Sequence, residues 1–182
     1  MYFENCGKEN TKKVVECVLK YAHENNIKNI VVASSTGETI KHFKDVKDIN
    51  IVCVGHSYGF PNVGTNDMPK ETKNEIESWG IPVLQTTHVL SGAERGISKK
   101  FGGVSPVEII AETLRMFSQG TKVCVEISTM ALDSGLIPYG ESTIAIGGSA
   151  HGADTAILLK PAHASKIFDT KIEKIICKPV TW

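Results

Sequence analysis

The chain has 182 residues, and its 20 Lys and Arg balance 20 Asp and Glu, giving a formal net charge of zero. That length suits one domain with a full core, and the charge balance argues against the basic face that nucleic-acid binding requires. No apolar run approaches bilayer length, and Met1–Cys6 lacks the basic and apolar regions of a secretion signal, so a cytoplasmic protein without membrane attachment is expected.

The first predicted element is a helix from Asn10 to about Tyr21, where Val14, Val15, Cys17, Val18 and Tyr21 recur at three- and four-residue steps. Ile30–Ala33 is apolar and β-branched and reads as a strand. It breaks into the hydroxylic turn Ser34-Ser35-Thr36-Gly37, and a short helical pattern resumes over Glu38–Phe43. Ile49–Val54 is a second strand, followed by Gly55-His56-Ser57. Pro69–Trp79 is helical and stops before Gly80, and Ile81–Leu84 is a third strand.

Gln85 to Val104 is long for a connection and carries four glycines with Glu94, Arg95, Lys99 and Lys100 between them. Such a segment is either a lid, bringing Arg95 or a lysine to an anionic ligand, or a solvated or subunit-contacting loop. Ser105-Pro106 opens a helix running to about Phe117, with Ser105 and Glu108 spaced as a capping box and Pro106 at its first position. Lys122–Ile127 reads as a fourth strand and Thr129–Gly135 as a helical stretch. Ser142–Ile146, Thr155–Leu159 and Glu173–Cys177 complete the strands. No helix separates the last two, so an antiparallel pairing at an edge is expected.

Strands alternating with helices imply βαβ units. Uninterrupted apolar strands imply a sheet covered on both faces. The expected fold is a single three-layer α/β/α domain over residues 1–182 with a mostly parallel sheet. The cysteines, Cys6, Cys17, Cys53, Cys124 and Cys177, are odd in number and without C-x-x-C spacing, so no zinc or dithiol site is suggested. Cys53, Cys124 and Cys177 sit in apolar runs as small hydrophobes, which leaves Cys6 as the accessible thiol. The histidines show no H-x-x-x-H spacing, and no metal site is expected.

In sheets of this kind ligands bind at the carboxyl ends of the strands. Those ends carry Ser34-Ser35-Thr36-Gly37, Gly55-His56-Ser57, Thr86-Thr87-His88, Ser128-Thr129 and Gly147-Gly148-Ser149. At the first, backbone N–H groups entering a helix offer an anion site. Ser35 with Glu38 is equally a capping box that would close the helix without a ligand. The turn Gly147 to Asp154 either makes a tight connection or lets a ligand approach, and Asp154 accepts hydrogen bonds from a ligand or from its own loop. His56, His88 and His151 are candidate acids or bases. A dinucleotide fingerprint and a Walker A motif are both missing, which favours a mononucleotide.

The stretch Thr11–Gly55, with Ile30-Val31-Val32-Ala33-Ser34-Ser35-Thr36-Gly37 at its centre, resembles the C-terminal domain of pyruvate kinase, where a Thr/Ser-Gly loop holds a sugar-phosphate effector. Nothing in the 182 residues looks like that enzyme's catalytic barrel, so kinase activity is not expected of them. The whole chain is similar to small stand-alone proteins with that fold, through Ala33–Gly37, Gly147-Gly148-Ser149, Gly152-Ala153-Asp154-Thr155-Ala156 and Lys174–Pro179. This resemblance implies flavin mononucleotide (FMN) as cofactor, with its phosphate at Ser34, Ser35, Thr36 and Gly37. Thr86, Thr87, Ser128 and Thr129 would then meet the ribityl chain or ring edge, Met130 would pack on the ring, and Lys41 would add charge; His56, Gly147, Gly148, Ser149 and Asp154 complete the expected cofactor-binding set. The implied partner is a phosphorylated small molecule, and a homo-oligomer is compatible. Three functions remain open: a flavin-dependent enzyme of unknown substrate, a non-enzymatic sensor of a phosphorylated metabolite, and a histidine-dependent hydrolase or isomerase.

Overall fold

The computed structural model describes residues 1–182. Seven strands form one sheet: β1 (Tyr2–Asn5), β2 (Asn29–Ala33), β3 (Asn50–Val54), β4 (Val83–Leu84), β5 (Thr143–Gly147), β6 (Thr155–Lys160) and β7 (Lys171–Thr181). Their order is β1-β7-β6-β5-β2-β3-β4. The β2–β3, β2–β5, β3–β4 and β1–β7 pairs are parallel, whereas β6 runs antiparallel to both β5 and β7. The antiparallel break predicted near the chain end is therefore present, but it is internal to the sheet, because β1 adds outside β7.

The chain has five α-helices, α1 (Thr11–Glu24), α2 (Lys70–Ser78), α3 (Ala93–Phe101), α4 (Pro106–Arg115) and α5 (Gln119–Asp133); α1, α2 and α5 pack on the sheet and α4 packs on α5. Val14 and Val18 of α1, Ile40 and Phe43 of a 3-10 turn, and Ile76 of α2 pack on one face against Ile30, Ile144 and Ile146. On the other face Cys124, Val125, Ile127 and Leu132 of α5 pack against Val31, Val52, Ala145 and Ile157. Side chains alternate across each strand, so Ile30 and Val31 serve opposite faces. This is the predicted three-layer α/β/α arrangement.

Three expectations are corrected. Lys122–Ile127 is not a strand but the centre of α5. Every residue from Gly120 to Leu132 except Val123 is buried, because α5 is sandwiched between the sheet and α4. A helix buried nearly all round carries the same apolar run as a buried strand. The seventh strand is instead β1, whose single buried side chain, Phe3, left little pattern to read. Within Gln85–Val104, α3 forms with no buried residue of its own, so no amphipathic stripe announced it.

Candidate functional site

The loops after β2, β3 and β4, the turn after β5 and the first half of α5 enclose a cavity of about 780 Å³, within the ~300–1,000 Å³ typical of small-molecule sites. It lies at the carboxyl edge where strand order reverses, since the chain leaves β2 for β3 on one side and returns as β5 on the other. Its apolar wall includes Ala33, Val54, Phe60, Val123 and Ile127.

The corner after β2 is open to this cavity through Ser34, Ser35, Thr36 and Glu38. The Ser34 N–H donates to the Val54 carbonyl at 2.9 Å, continuing the sheet. Its buried Oγ accepts the Ile40 N–H at 3.3 Å and so fixes the start of the 3-10 turn Ile40–Phe43. The Ser35–Glu38 capping box does not form. Glu38 instead pairs with Lys41 at 2.6 Å, which turns its charge toward a cation and engages the lysine expected to serve a ligand. The N–H groups of Ser35, Thr36, Gly37 and Glu38 have no acceptor within the protein. Gly37 is buried at φ +91°, and a Cβ there would stand 2.5 Å from Thr72 Cγ2 of α2. Its lack of a side chain serves helix packing as well as the turn.

At the floor, His56 Nδ1 lies 2.9 Å from Asp67 Oδ2. The His56 and His88 rings are 5.6 Å apart. Burial pushes the His88 imidazole below its ordinary range, opposed by the nearby Glu126 carboxylate. Glu126 forms a buried ion pair with Lys122 one turn back on α5, and its other oxygen accepts the Leu90 N–H at 2.9 Å. Burial lowers the Lys122 ammonium, with Glu126 again opposing. Two titratable pairs therefore meet at one cavity floor, an arrangement that can hold or move a proton.

Residues 12–159 match the family described as pyruvate kinase, alpha/beta domain. The chain belongs to that family. In this pyruvate kinase α/β domain the matched region runs from α1 into β6 and holds the corner, both floor histidines and the whole of α5.

Of the predicted binding residues, Ser34, Ser35, Thr36, His56 and Gly148 line this cavity, and Thr87 lines a second one beside it. Thr86 is exposed on neither. Ser128, Thr129 and Met130 lie off the cavity, buried within the α5 packing; Ser128 Oγ donates to the Cys124 carbonyl at 2.8 Å. Read as the end of a strand, Ser128-Thr129 would have reached the ligand edge. In α5 it is the opposite end, Gln119 and Val123, that does so. Gly147, Ser149 and Asp154 are also off the cavity wall. Asp154 is buried; its Oδ2 accepts the N–H groups of Gly7 and Ser149, and its Oδ1 accepts the Thr155 hydroxyl. The glycine turn closes on itself, since a Cβ on Gly148 would stand 2.4 Å from the Gly152 carbonyl oxygen. Sequence reasoning missed Asp67, Lys122 and Glu126 as site residues.

Proposed function

We propose that this chain binds a phosphorylated small molecule, with FMN as the ligand that best fits the large cavity. The observation that carries this reading is the run of four N–H groups, Ser35 to Glu38, without protein acceptors; Ser35, Thr36 and Glu38 stand at the cavity wall, while Gly37 faces α2 and does not line it. They would take the phosphate, aided by the Ser35 and Thr36 hydroxyls. Anion binding by such backbone groups needs no lysine. The apolar wall of Val54, Phe60, Val123 and Ile127 suits a flat ring, and Gln119, His56 and His88 supply polar contacts for its edge. When bound, FMN would supply one- and two-electron chemistry, and the protein's part is to orient it and exclude competing reactions.

The His56–Asp67 pair supports an enzyme over a passive carrier. Asp67 fixes the ring through Nδ1 and leaves Nε2 to exchange a proton with a substrate, as acid–base catalysis requires. Ile97, Phe101, Ile109, Met116 and Phe117, exposed on and beside α3 and α4, support self-association.

Flavin fluorescence titration of purified protein tests the reading. Saturable quenching of FMN, reversed by excess sugar phosphate, is expected. Sugar-phosphate binding without FMN binding would favour the metabolite sensor, and binding of neither would overturn the proposal.

A further inference from the structure

A second cavity of about 540 Å³ adjoins the first across His56, His88, Gln119 and Glu126. Its lining is unlike the rest of the molecule. Arg95, Lys99, Arg115 and Lys122 face it against a single carboxylate, Glu126, in a chain whose total charge is balanced. We propose that this lobe binds a small anionic co-substrate, bearing a carboxylate or phosphate group, and presents it to the His56–Asp67 pair. The role of the His56–Asp67 pair rests on the enzyme reading above, but the cations that hold the anion, and the anion itself, are distinct from those of the flavin reading.

The cations divide into two kinds. Lys122 is neutralised by Glu126, and Arg115 is held by Glu112 and by the Gln119 side chain. These two are fixed in place. Arg95 and Lys99 form no ion pair within the protein. They stand four residues apart on α3, so they share one face, and like charges at that spacing disfavour the helix. The nearby carboxylates are committed elsewhere. Glu94 accepts the Gly92 N–H at 2.6 Å, and Glu108 accepts from the Ser98 hydroxyl and the Ser105 N–H. Lys100, the next residue along, turns instead over the Phe101 ring at 5.4 Å. The helix thus aims two free cations into a cleft whose opposite wall already carries two more. Glu108 offsets Arg95 only in part, whereas an anion held between α3 and the Arg115 and Lys122 side chains would satisfy the whole cluster. A guanidinium with an ammonium beside it suits carboxylate or phosphate oxygens.

Calorimetric titration with succinate and, separately, inorganic phosphate tests the proposal, on the protein alone and after addition of FMN. At least one probe is expected to bind saturably, and which one does so identifies the charged group. The Arg95→Gln/Lys99→Gln variant should bind that probe about tenfold or more weakly, as loss of charge-assisted hydrogen bonds implies. Both side chains are exposed, so the fold should survive, which the melting temperature checks. Lys166→Gln/Lys171→Gln, the same loss of charge away from both cavities, should leave probe affinity within about twofold. Inorganic phosphate also suits the Ser35–Glu38 corner, so its affinity is compared with FMN bound, and succinate alone is used if FMN does not bind. Binding of neither probe, wild-type affinity in the Arg95/Lys99 variant, or an equal loss in the Lys166/Lys171 variant would each overturn the proposal. Absence of FMN binding would leave it standing, and would count only against the flavin reading.

Discussion

Glu126→Gln isolates the energetics of the cavity floor. Lys122 and Glu126 side chains are each about 5% exposed. Glutamine keeps an acceptor for the Leu90 N–H but removes the only carboxylate paired with Lys122. Breaking a buried pair from one side costs about 3–5 kcal/mol, because the remaining charge is uncompensated. Lys122 can escape by losing its proton. At pH 7, with an ordinary lysine near 10.4, that costs about 4–5 kcal/mol, which caps the loss in the same range. For a domain of this size each kcal/mol shifts the melting temperature by roughly 2–4 °C, so a fall of roughly 6–20 °C is expected.

Urea unfolding at fixed pH, followed by circular dichroism, measures the loss as a lower midpoint at constant slope. The pH dependence supplies the sign. In the variant the folded state holds Lys122 below its unfolded value, so the unfolded chain carries more protons and stability rises with pH. The deficit should therefore shrink steadily between about pH 7 and pH 10. Lys122→Met added to Glu126→Gln should recover most of it. A loss below about 1 kcal/mol, or a deficit that ignores pH, would refute the uncompensated-charge account.

Burial lowers the His88 imidazole, so the folded protein takes up its proton less readily than the unfolded chain, which titrates near 6.5, and wild-type stability should fall as pH drops below about 6.5. His88→Gln should flatten that slope in urea midpoints, and an unchanged slope would sink the assignment. Burial pushes the Cys53 and Cys177 thiols up to about 12 and raises the Cys124 thiol well above its ordinary range; Ellman's reagent should label at most Cys6 and Cys17 in the native protein and all five after denaturation. Gly37→Val places a side chain at a left-handed φ and against Thr72, and should cost about 2–3 kcal/mol or more with no ligand present. A neutral effect in urea unfolding would contradict the packing role.

The strands that build the cavity edge were legible because β2 and β3 are short apolar β-branched runs bounded by polar turns, as a strand covered on both faces requires. The hydroxylic corner Ser34–Gly37 followed from them, since a strand that ends in small hydroxylic residues places those residues at the sheet edge. What misled was Lys122–Ile127. Its apolar residues gave no period because α5 is wrapped on nearly all sides. The error carried Ser128, Thr129 and Met130 to the wrong end of the layer. Read as a helix, the same stretch would have shown Lys122 and Glu126 four apart in an otherwise apolar segment, a pair that rarely survives burial without a role. Asp67 left no such trace. It meets His56 from eleven residues along an irregular loop, and no local rule links them. Cys17, half-buried like Cys6, was hidden because α1 turns its side chain to the rim of the core.

The corner after β2 is tested most directly by comparing FMN with riboflavin, which differ only in the phosphate, on the wild-type protein and on Ser35→Asp. The wild type should prefer FMN by about tenfold or more, and the added carboxylate should abolish that preference while leaving riboflavin affinity unchanged. Equal affinity for the two flavins in the wild type would show that no phosphate is held at Ser35–Glu38.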